Sequence, residues 1–390
     1  MNFYIDSFYE SLNRYGEELC GDKVEIVRGG DSLIVVLADG LGSGVKANIL
    51  ATLTSKIIGT MLEKGARVEE AVETIAQTLP ICNVRKLAYS TFTILQIFKS
   101  GEAYLVEFDN PSVFFIREGN LFQVPFKLRN INGKDVRESR FEVEVGDTIV
   151  MVSDGVVHAG VGASLNLGWK WENVAEYLLE NIKPNMPARE ISHSLVAVCD
   201  HLYDQRPGDD ATVVAISIRN PLEVSMMAGP PISMEDDRKV VEKFMSDNGK
   251  KIVCGGTTAQ IVARELGRKI ETSMEYYDSS VPPIAYIQGI DLVTEGVLTL
   301  TRVVEIIKSY IYIDGKERVG NPLDRRDGAA CIARILMDDC THFKLYIGRT
   351  INPAHQNPDL PVDLSIKLKL LEELAQLMTI LGKKVEKFYF

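Results

Sequence analysis

Three acidic positions stand where an apolar run meets a turn. Asp39 ends a run of six apolar residues and precedes a glycine-rich turn. Asp154 ends a second apolar run, and Asp209 with Asp210 directly precedes a third. A carboxylate at a strand end projects beside free backbone carbonyls, and such oxygens are the ligands that hard divalent cations prefer. The pattern predicts three acidic strand edges suited to metal binding.

Carboxylates that gather without matching Lys or Arg repel one another, and cations relieve that repulsion. Oxygen ligands favour Mg²⁺ or Mn²⁺. Two such ions close together can hold phosphate oxygens and lower the pKa of a shared water, which then attacks phosphorus in line. An Asp-Gly after a strand is more often only a turn, and spacing alone does not show that the three edges converge.

The elements around these aspartates combine hairpins with helices. Turn residues 28–31 separate two short apolar runs and predict a hairpin that ends at Asp39. Helical periodicity follows the glycine-rich turn, and strand-like runs punctuated by Gly, Asn and Pro then indicate an antiparallel meander. The predicted helices lie at 45–65, 68–79, 171–182 and 188–203, and the last strand lies at 211–218. This mixture predicts an α+β sandwich with helices on its faces.

Residues 220–233 carry the densest Pro and Gly punctuation after a completed strand, and we predict a linker there. The predicted domains are thus 1–219 and 234–390. Beyond the linker, helices are predicted at 235–246, 258–269, 300–313, 328–337 and 364–381, and strands at 251–254, 284–288 and 343–347. Such alternation predicts a smaller, partly parallel α/β domain.

A glycine turn between a strand and a helix lies within the second domain. Gly255, Gly256, Thr257 and Thr258 follow a short apolar strand and open a helical pattern. Backbone N–H groups and the helix dipole at such a turn can receive an anion. The alternative is a tight turn whose helix is capped by Thr257.

Composition limits the partners. The net charge is -11 without a basic run, which argues against a nucleic-acid surface. No apolar stretch approaches the ~20 residues of a membrane span, and the N-terminus lacks the pattern of a signal peptide. Six cysteines lie far apart without a zinc-site spacing and are interpreted as reduced thiols. We therefore expect a cytoplasmic protein without a membrane anchor.

The aspartate motifs in their order resemble the SpoIIE-type bacterial branch of the PPM, or protein phosphatase 2C-like, family. The resemblance covers about residues 15–218. Its blocks are Cys20-Gly21-Asp22 leading to 36–44, Gly146-Asp147 with 151–156, and 208–214. It implies a PPM-type α/β/β/α sandwich of antiparallel sheets and a metal-dependent serine/threonine phosphatase.

By resemblance, the metal ligands would be Asp22, Asp39, Gly40, Asp154, Asp209 and Asp210. Asp39 would bridge both ions and the Gly40 carbonyl would bind one, while Asp154 and Asp209 would hold the other. Asp22 would act mostly through metal-bound water. Asp210 matches a neighbouring polar position, so Asp209 is preferred if only one of the pair is a ligand. Catalysis through metal-bound water would depend on Asp39, Asp154 and Asp209.

Two features depart from the eukaryotic branch. Leu41 stands where that branch has a histidine, and no arginine near the N-terminus stands out as a phosphate ligand. Both departures agree with the bacterial branch, and they leave the general acid unassigned. His158 is the candidate that follows the second block, although a lone histidine there is more often a surface or packing residue.

Three hypotheses remain open from the sequence. The first is a phosphatase for phosphoserine or phosphothreonine whose C-terminal domain senses a signal, docks the substrate or forms a homodimer. The resemblance suggests a small bacterial regulator, such as an anti-sigma-factor antagonist, as the phosphoprotein substrate. The second is a non-catalytic scaffold whose C-terminal domain binds a small anionic ligand. The third is a small-molecule phosphomonoesterase with the same metal chemistry.

Overall fold

The computed structural model describes residues 3–78, 90–131, 134–272, 283–312, 321–349 and 366–390. Cys82 and the predicted helix ends at 79, 313, 364 and 365 lie outside these residues. The other five cysteines are free thiols. The chain divides into two compact units, Met1–Asn220 and Pro221–Phe390.

The first unit contains two antiparallel sheets. Its strands are β1 (Tyr4–Leu12), β2 (Asp22–Arg28), β3 (Ser32–Gly40), β4 (Ser90–Phe98), β5 (Glu102–Phe108), β6 (Phe114–Arg117), β7 (Asn120–Leu121), β8 (Lys127–Ile131), β9 (Lys134–Glu142), β10 (Thr148–Val152) and β11 (Ala211–Arg219). One sheet has the order β1-β11-β10-β6-β7, and the other has the order β2-β3-β4-β5-β9-β8. The predicted hairpin is confirmed as β2 and β3, which pair antiparallel.

Helices cover the outer face of each sheet. They are α1 (Gly44–Glu63), α2 (Val68–Thr78), α3 (Asp154–Val157), α4 (Trp171–Asn181) and α5 (Ala188–Leu202). One apolar cluster joins α1 and α2 to the β3 sheet, and a second joins α4 and α5 to the β11 sheet. A third lies between the two sheets. The predicted α/β/β/α sandwich is confirmed.

Strand β3 shows why its sequence is a continuous apolar run. Ile34 and Val36 pack toward α1 and α2, whereas Val35 and Leu37 pack between the sheets. Side chains of a strand alternate between faces, so a strand covered on both faces needs apolar residues throughout. A polar side chain can enter this strand where it leaves the core, which is the position of Asp39.

The second unit is built on a seven-stranded, mostly parallel sheet. Its strands are β12 (Glu223–Ala228), β13 (Lys250–Cys254), β14 (Glu271–Thr272), β15 (Ala285–Tyr286), β16 (Leu292–Thr294), β17 (His342–Ile347) and β18 (Lys384–Tyr389). Its helices are α6 (Asp237–Ser246), α7 (Gly256–Leu266), α8 (Val297–Ile311), α9 (Gly328–Arg334) and α10 (Ile366–Ile380). The prediction of a smaller, partly parallel α/β domain is confirmed.

The predicted linker at 220–233 is wrong for residues 223–228. These residues form β12, which lies between β13 and β17 in the sheet, and five of its six residues are buried. The prolines and the glycine on either side mark the two ends of this strand, because a parallel strand enters and leaves its sheet through turns. No helix in the described part of the chain has the length and apolarity required to cross a bilayer.

Candidate metal centre

Two antiparallel strand pairs, one in each sheet of the first unit, bring five aspartates to strand ends. Asp22 and Asp39 lie directly opposite each other in the β2–β3 ladder. Asp154 begins α3 two residues after β10 ends, while Asp209 and Asp210 immediately precede β11. Strands β10 and β11 pair antiparallel, so the end of one strand lies beside the start of the other. Each sheet therefore presents its own acidic edge.

Contacts join the two acidic edges across the sandwich. The backbone N–H of Arg14 donates to Asp210 Oδ1 at 3.0 Å. The hydroxyl groups of Ser153 and Thr212, which belong to the β10–β11 side, interact with the carboxylate of Asp22 on β2. Cys20 Sγ lies 4.0 Å from Thr212 Oγ1. The two edges thus form one cluster, called here the aspartate centre: Asp22, Asp39, Asp154, Asp209 and Asp210.

Glycines allow the backbone to close around this centre. A Cβ atom at Gly40 would overlap the carbonyl of Ala47 in the first turn of α1. A Cβ at Gly21 would lie 2.8 Å from Asp210 Oδ2, and one at Gly155 would overlap the Asp210 carbonyl. The glycine-rich motifs are therefore required by close backbone approach as well as by turn geometry.

We expect Gly40→Ala to destabilise the protein by about 2 to 4 kcal/mol, because the methyl group overlaps backbone that cannot rotate away. Urea unfolding followed by circular dichroism measures this loss. Gly30→Ala is the matched control, since Gly30 is exposed and its Cβ would meet no atom within 4 Å. Equal stability of the two variants would contradict the close packing of α1 on the strand end.

Burial and mutual repulsion raise the pKa values in the aspartate centre. Burial, together with the charges of Asp210 and Asp154, raises the pKa of Asp22 to about 8. Burial and the charges of the four other aspartates raise the pKa of Asp39 to about 9. Burial is also the main cause that raises the pKa values of Asp209 and Asp210. The centre therefore resists carrying full negative charge by itself.

The donor set fits divalent cations. Asp22 and Asp210 are almost fully buried, and the Oδ2 atom of each has no hydrogen-bond partner. Buried carboxylate oxygens without partners are costly unless a cation or a proton satisfies them. Within the described ranges, no group of three or more His, Cys, Asp or Glu side chains is placed so that it could hold a metal ion without rearrangement. The centre thus offers convergent oxygen ligands without a finished coordination shell.

The predicted site residues are divided between the two units. The five aspartates and Gly40 belong to the first unit, whereas the glycine turn 255–258 belongs to the second unit. His158 lies just beyond α3 with an exposed side chain. The structure gives His158 no contact that would single it out as the general acid.

Arg14 is a candidate functional residue that sequence reasoning missed. Besides its backbone bond to Asp210, its positive charge acts to lower the pKa of Asp209 against the larger effect of burial. Tyr15, the next residue, donates its backbone N–H to the Pro207 carbonyl at 2.8 Å, which fastens this loop beside Asp209. No local pattern could have found Arg14, because its position depends on contacts between residues nearly 200 positions apart.

Comparison with known proteins gives the relationship of the first unit. A family model described as Stage II sporulation protein E (SpoIIE) matches residues 29–219. Stage II sporulation protein E of Bacillus subtilis (strain 168) is 24% identical over 212 residues, which cover 52% of this chain and 24% of that protein. The match therefore spans about a quarter of that relative's length.

Two solved structures are also similar. The structure of the PP2C phosphatase domain and a fragment of the regulatory domain of SpoIIE from Bacillus subtilis is 20% identical, with a TM-score of 0.48, and the match covers 56% of this chain and 63% of that chain. The structure of RsbX in complex with magnesium is 22% identical, with a TM-score of 0.40, and the match covers 55% and 95%. Residues 29–219, just under half of the chain, therefore form a SpoIIE-type domain of the PPM (protein phosphatase 2C-like) family.

Proposed function

We propose that this chain is a metal-dependent protein phosphatase that hydrolyses phosphoserine or phosphothreonine in bacterial signalling. The observation that carries the proposal is the aspartate centre, where carboxylates from two sheets converge and the pKa values of Asp22 and Asp39 are raised to about 8 and 9. Similarity to the family indicates the reaction class, and the geometry brings these acids close to one another. We assign the activity to residues 1–219 and place the protein in the cytoplasm.

The residues that would hold two Mn²⁺ or Mg²⁺ ions are the aspartate centre and the Gly40 carbonyl. Bound ions would supply positive charge to the phosphate and acidify a water molecule. Asp39 contributes the central carboxylate, because its charge interacts with all four other aspartates. Asp154 and Asp209 contribute from the opposite sheet. Arg14 adds positive charge beside Asp209, where an incoming phosphate group would benefit from it.

Asp209 and Asp210 have different surroundings, which supports different roles. Asp209 is half-buried, and one of its carboxylate oxygens accepts the backbone N–H of Asp210 at 3.0 Å. Asp210 is buried, accepts the Arg14 N–H and faces Gly21. We therefore keep Asp209 as the metal ligand on the side where the phosphate group would bind. Asp210 is assigned to the inner side of the centre, next to Asp22.

The proposed substrate is a phosphoprotein of the anti-sigma-factor antagonist type, with the second unit sensing a signal, docking the substrate or forming a homodimer. The proposal for the substrate rests on family resemblance. Phosphopeptides that carry phosphoserine, phosphothreonine or phosphotyrosine can test the residue preference. A comparison with p-nitrophenyl phosphate separates a protein phosphatase from a small-molecule phosphomonoesterase.

We expect the full chain to release phosphate from a phosphoserine peptide with MnCl₂, and EDTA to reduce the rate at least about 100-fold because the cations stabilise the charge of the transition state. A malachite-green assay measures the free phosphate. Restoring Mn²⁺ in excess should recover the rate, which controls for unfolding by the chelator. An unchanged rate in EDTA would contradict metal dependence. Complete inactivity on every phosphopeptide and ester would favour the non-catalytic scaffold.

A further inference from the structure

The strand order of the second unit reverses at β12. The chain runs from β12 to β13 and then β16 on one side, and returns to place β17 and β18 on the other side. These five strands are parallel. In open parallel sheets, ligands bind outside the carboxyl ends of the strands at the point where the order reverses. That point lies between the ends of β12 and β17.

The loops that leave these strands contact one another at this edge. Gly229, just after β12, donates its backbone N–H to Thr258 Oγ1 at 2.9 Å. Its φ of +90° suits glycine, and a Cβ there would lie 3.0 Å from the Gly348 carbonyl and overlap Lys367 Nζ. The ammonium group of Lys367 therefore lies directly against the β12 turn. Residues far apart in sequence thus share one small region.

Two independent sources of positive potential meet in this region. Lys367 lies in the first turn of α10, and its charge also acts on Cys254 at the end of β13. Helix α7 begins at Gly256, one residue beyond Gly255, so its first backbone N–H groups and its dipole face the same edge. A side-chain ammonium beside helix amide groups is the arrangement that favours a phosphate group.

An acidic acceptor completes the edge. The Glu295 carboxylate lies beside the start of α7, since a Cβ at Gly256 would be 3.5 Å from Glu295 Oε1. Its backbone carbonyl accepts the Cys254 thiol at 3.0 Å, and Gly255 N–H donates to the Thr294 carbonyl at 2.8 Å. An exposed carboxylate next to a phosphate site can accept hydrogen bonds from the hydroxyl groups of a sugar. It also disfavours a multiply charged anion that has no hydroxyl donors.

The same loops expose apolar side chains. Ile232 and Met234 follow β12, Leu298 follows β16, and each is at least two-thirds exposed. Small-molecule sites combine apolar surface with a few polar groups of fixed position. The edge therefore offers phosphate, hydroxyl and apolar recognition on neighbouring loops.

We propose that this region, the switch-point cluster of Gly229, Gly255, Gly256, Thr258, Glu295 and Lys367, binds a small phosphate-bearing ligand with sugar hydroxyls, of the nucleoside phosphate class. The Gly256 end of α7 and Lys367 bind the phosphate, while Glu295 accepts hydroxyl groups. The sequence prediction of an anion at 255–258 is thereby sharpened, because the Thr258 hydroxyl is engaged with Gly229 and shapes the turn. The predicted capping of α7 by Thr257 is wrong, since Gly255 is the cap and no side chain caps this helix.

The test uses the full chain carrying Asp39→Asn, in EDTA, so that the aspartate centre neither hydrolyses the ligand nor holds phosphate through metal ions. Thermal unfolding and isothermal titration calorimetry are measured with ATP, ADP, AMP, ribose 5-phosphate and inorganic phosphate. At roughly 100 times its dissociation constant, the best nucleoside phosphate should raise one unfolding midpoint by about 5 to 10 °C. Inorganic phosphate should bind more weakly than every nucleoside phosphate.

Variants test the residues. Lys367→Met, which removes the ammonium but keeps the length of the side chain, should weaken binding about 10- to 100-fold. Lys369→Met is the matched control, because Lys369 is exposed on the same helix, and it should leave affinity unchanged. Glu295→Gln, at an exposed position, should weaken nucleoside phosphates and ribose 5-phosphate while sparing inorganic phosphate.

Three outcomes would overturn the proposal. They are no stabilisation by any phosphate compound, binding of inorganic phosphate alone, and equal affinity of Lys367→Met and its parent. If Lys367→Met fails to fold, the Glu295→Gln variant provides the test of the site. Unchanged nucleoside phosphate affinity in that variant would contradict the assignment. None of these readouts depends on phosphatase activity, so their failure leaves the proposed function of the first unit standing.

Discussion

An Asp39→Asn variant is expected to lose at least about 10³-fold in kcat/KM on a phosphoserine peptide, which corresponds to about 4 kcal/mol of transition-state stabilisation. Asn keeps the size of the side chain and removes the charge that interacts with all four other acids of the centre. The variant should remain folded, because neutralising a buried carboxylate among like charges removes repulsion. Steady-state kinetics with saturating Mn²⁺ measure the loss.

The matched control for this variant is Asp31→Asn. Asp31 lies in the exposed turn between β2 and β3, on the same hairpin as Asp39 and at the opposite end of the strand. Its substitution should change kcat/KM by less than about twofold, since surface changes away from a site are close to neutral. If Asp39→Asn kept activity within threefold of the parent while folded, the aspartate centre would not be the catalytic site.

The layers of the first unit were predictable because each of their features is local in sequence. Apolar residues on both faces of β3 indicate a strand covered on both sides, and the turn at 28–31 fixes its partner β2. The position of Asp39 at the strand end follows from the point where that apolar run stops. Local patterns of this kind need no knowledge of distant contacts.

The assembly of the aspartate centre does not follow from the spacing of its motifs alone. Asp22 faces Asp39 through the hairpin register, which the turn specifies. Their approach to Asp154, Asp209 and Asp210 depends on how two sheets stack, and the sequence pattern does not encode that distance. Resemblance to a family supplies the missing step for the aspartates. It supplies none for Arg14, which lies outside every motif.

Strand β12 is an element that the sequence pattern failed to predict. Its buried residues Val224, Met226 and Met227 lie between Pro221 and Gly229. Because Pro and Gly stand on both sides of a strand of only six residues, the sequence pattern indicates a linker there. The strand is recognisable only once β13 and β17 are known to pair with it on both sides. Its position also determines where the strand order reverses, so the ligand site inferred there depended on the structure.

The chelated protein is expected to lose stability as pH rises from about 4 toward 9. The folded-state pKa values of Asp39 and Asp22, about 9 and about 8, lie above the ordinary value of the unfolded chain, so the folded state binds more protons across this window. Stability contributed by these protonated acids is fully present below pH 4 and is lost as they deprotonate. Other titrating groups add their own slopes, so the informative quantity is a difference between variants.

In EDTA, the unfolding midpoint of Asp39→Asn minus that of the parent should grow by several degrees between pH 5 and pH 9, because Asn carries no charge to lose. Saturating Mn²⁺ should stabilise the parent most at the alkaline end, where its carboxylates are ionised and the cations neutralise them. Scanning calorimetry at fixed ionic strength gives both series. A difference that stays constant with pH, or a parent whose midpoint is equally insensitive to Mn²⁺ at every pH, would contradict a centre in which repulsion among buried carboxylates is relieved by divalent cations.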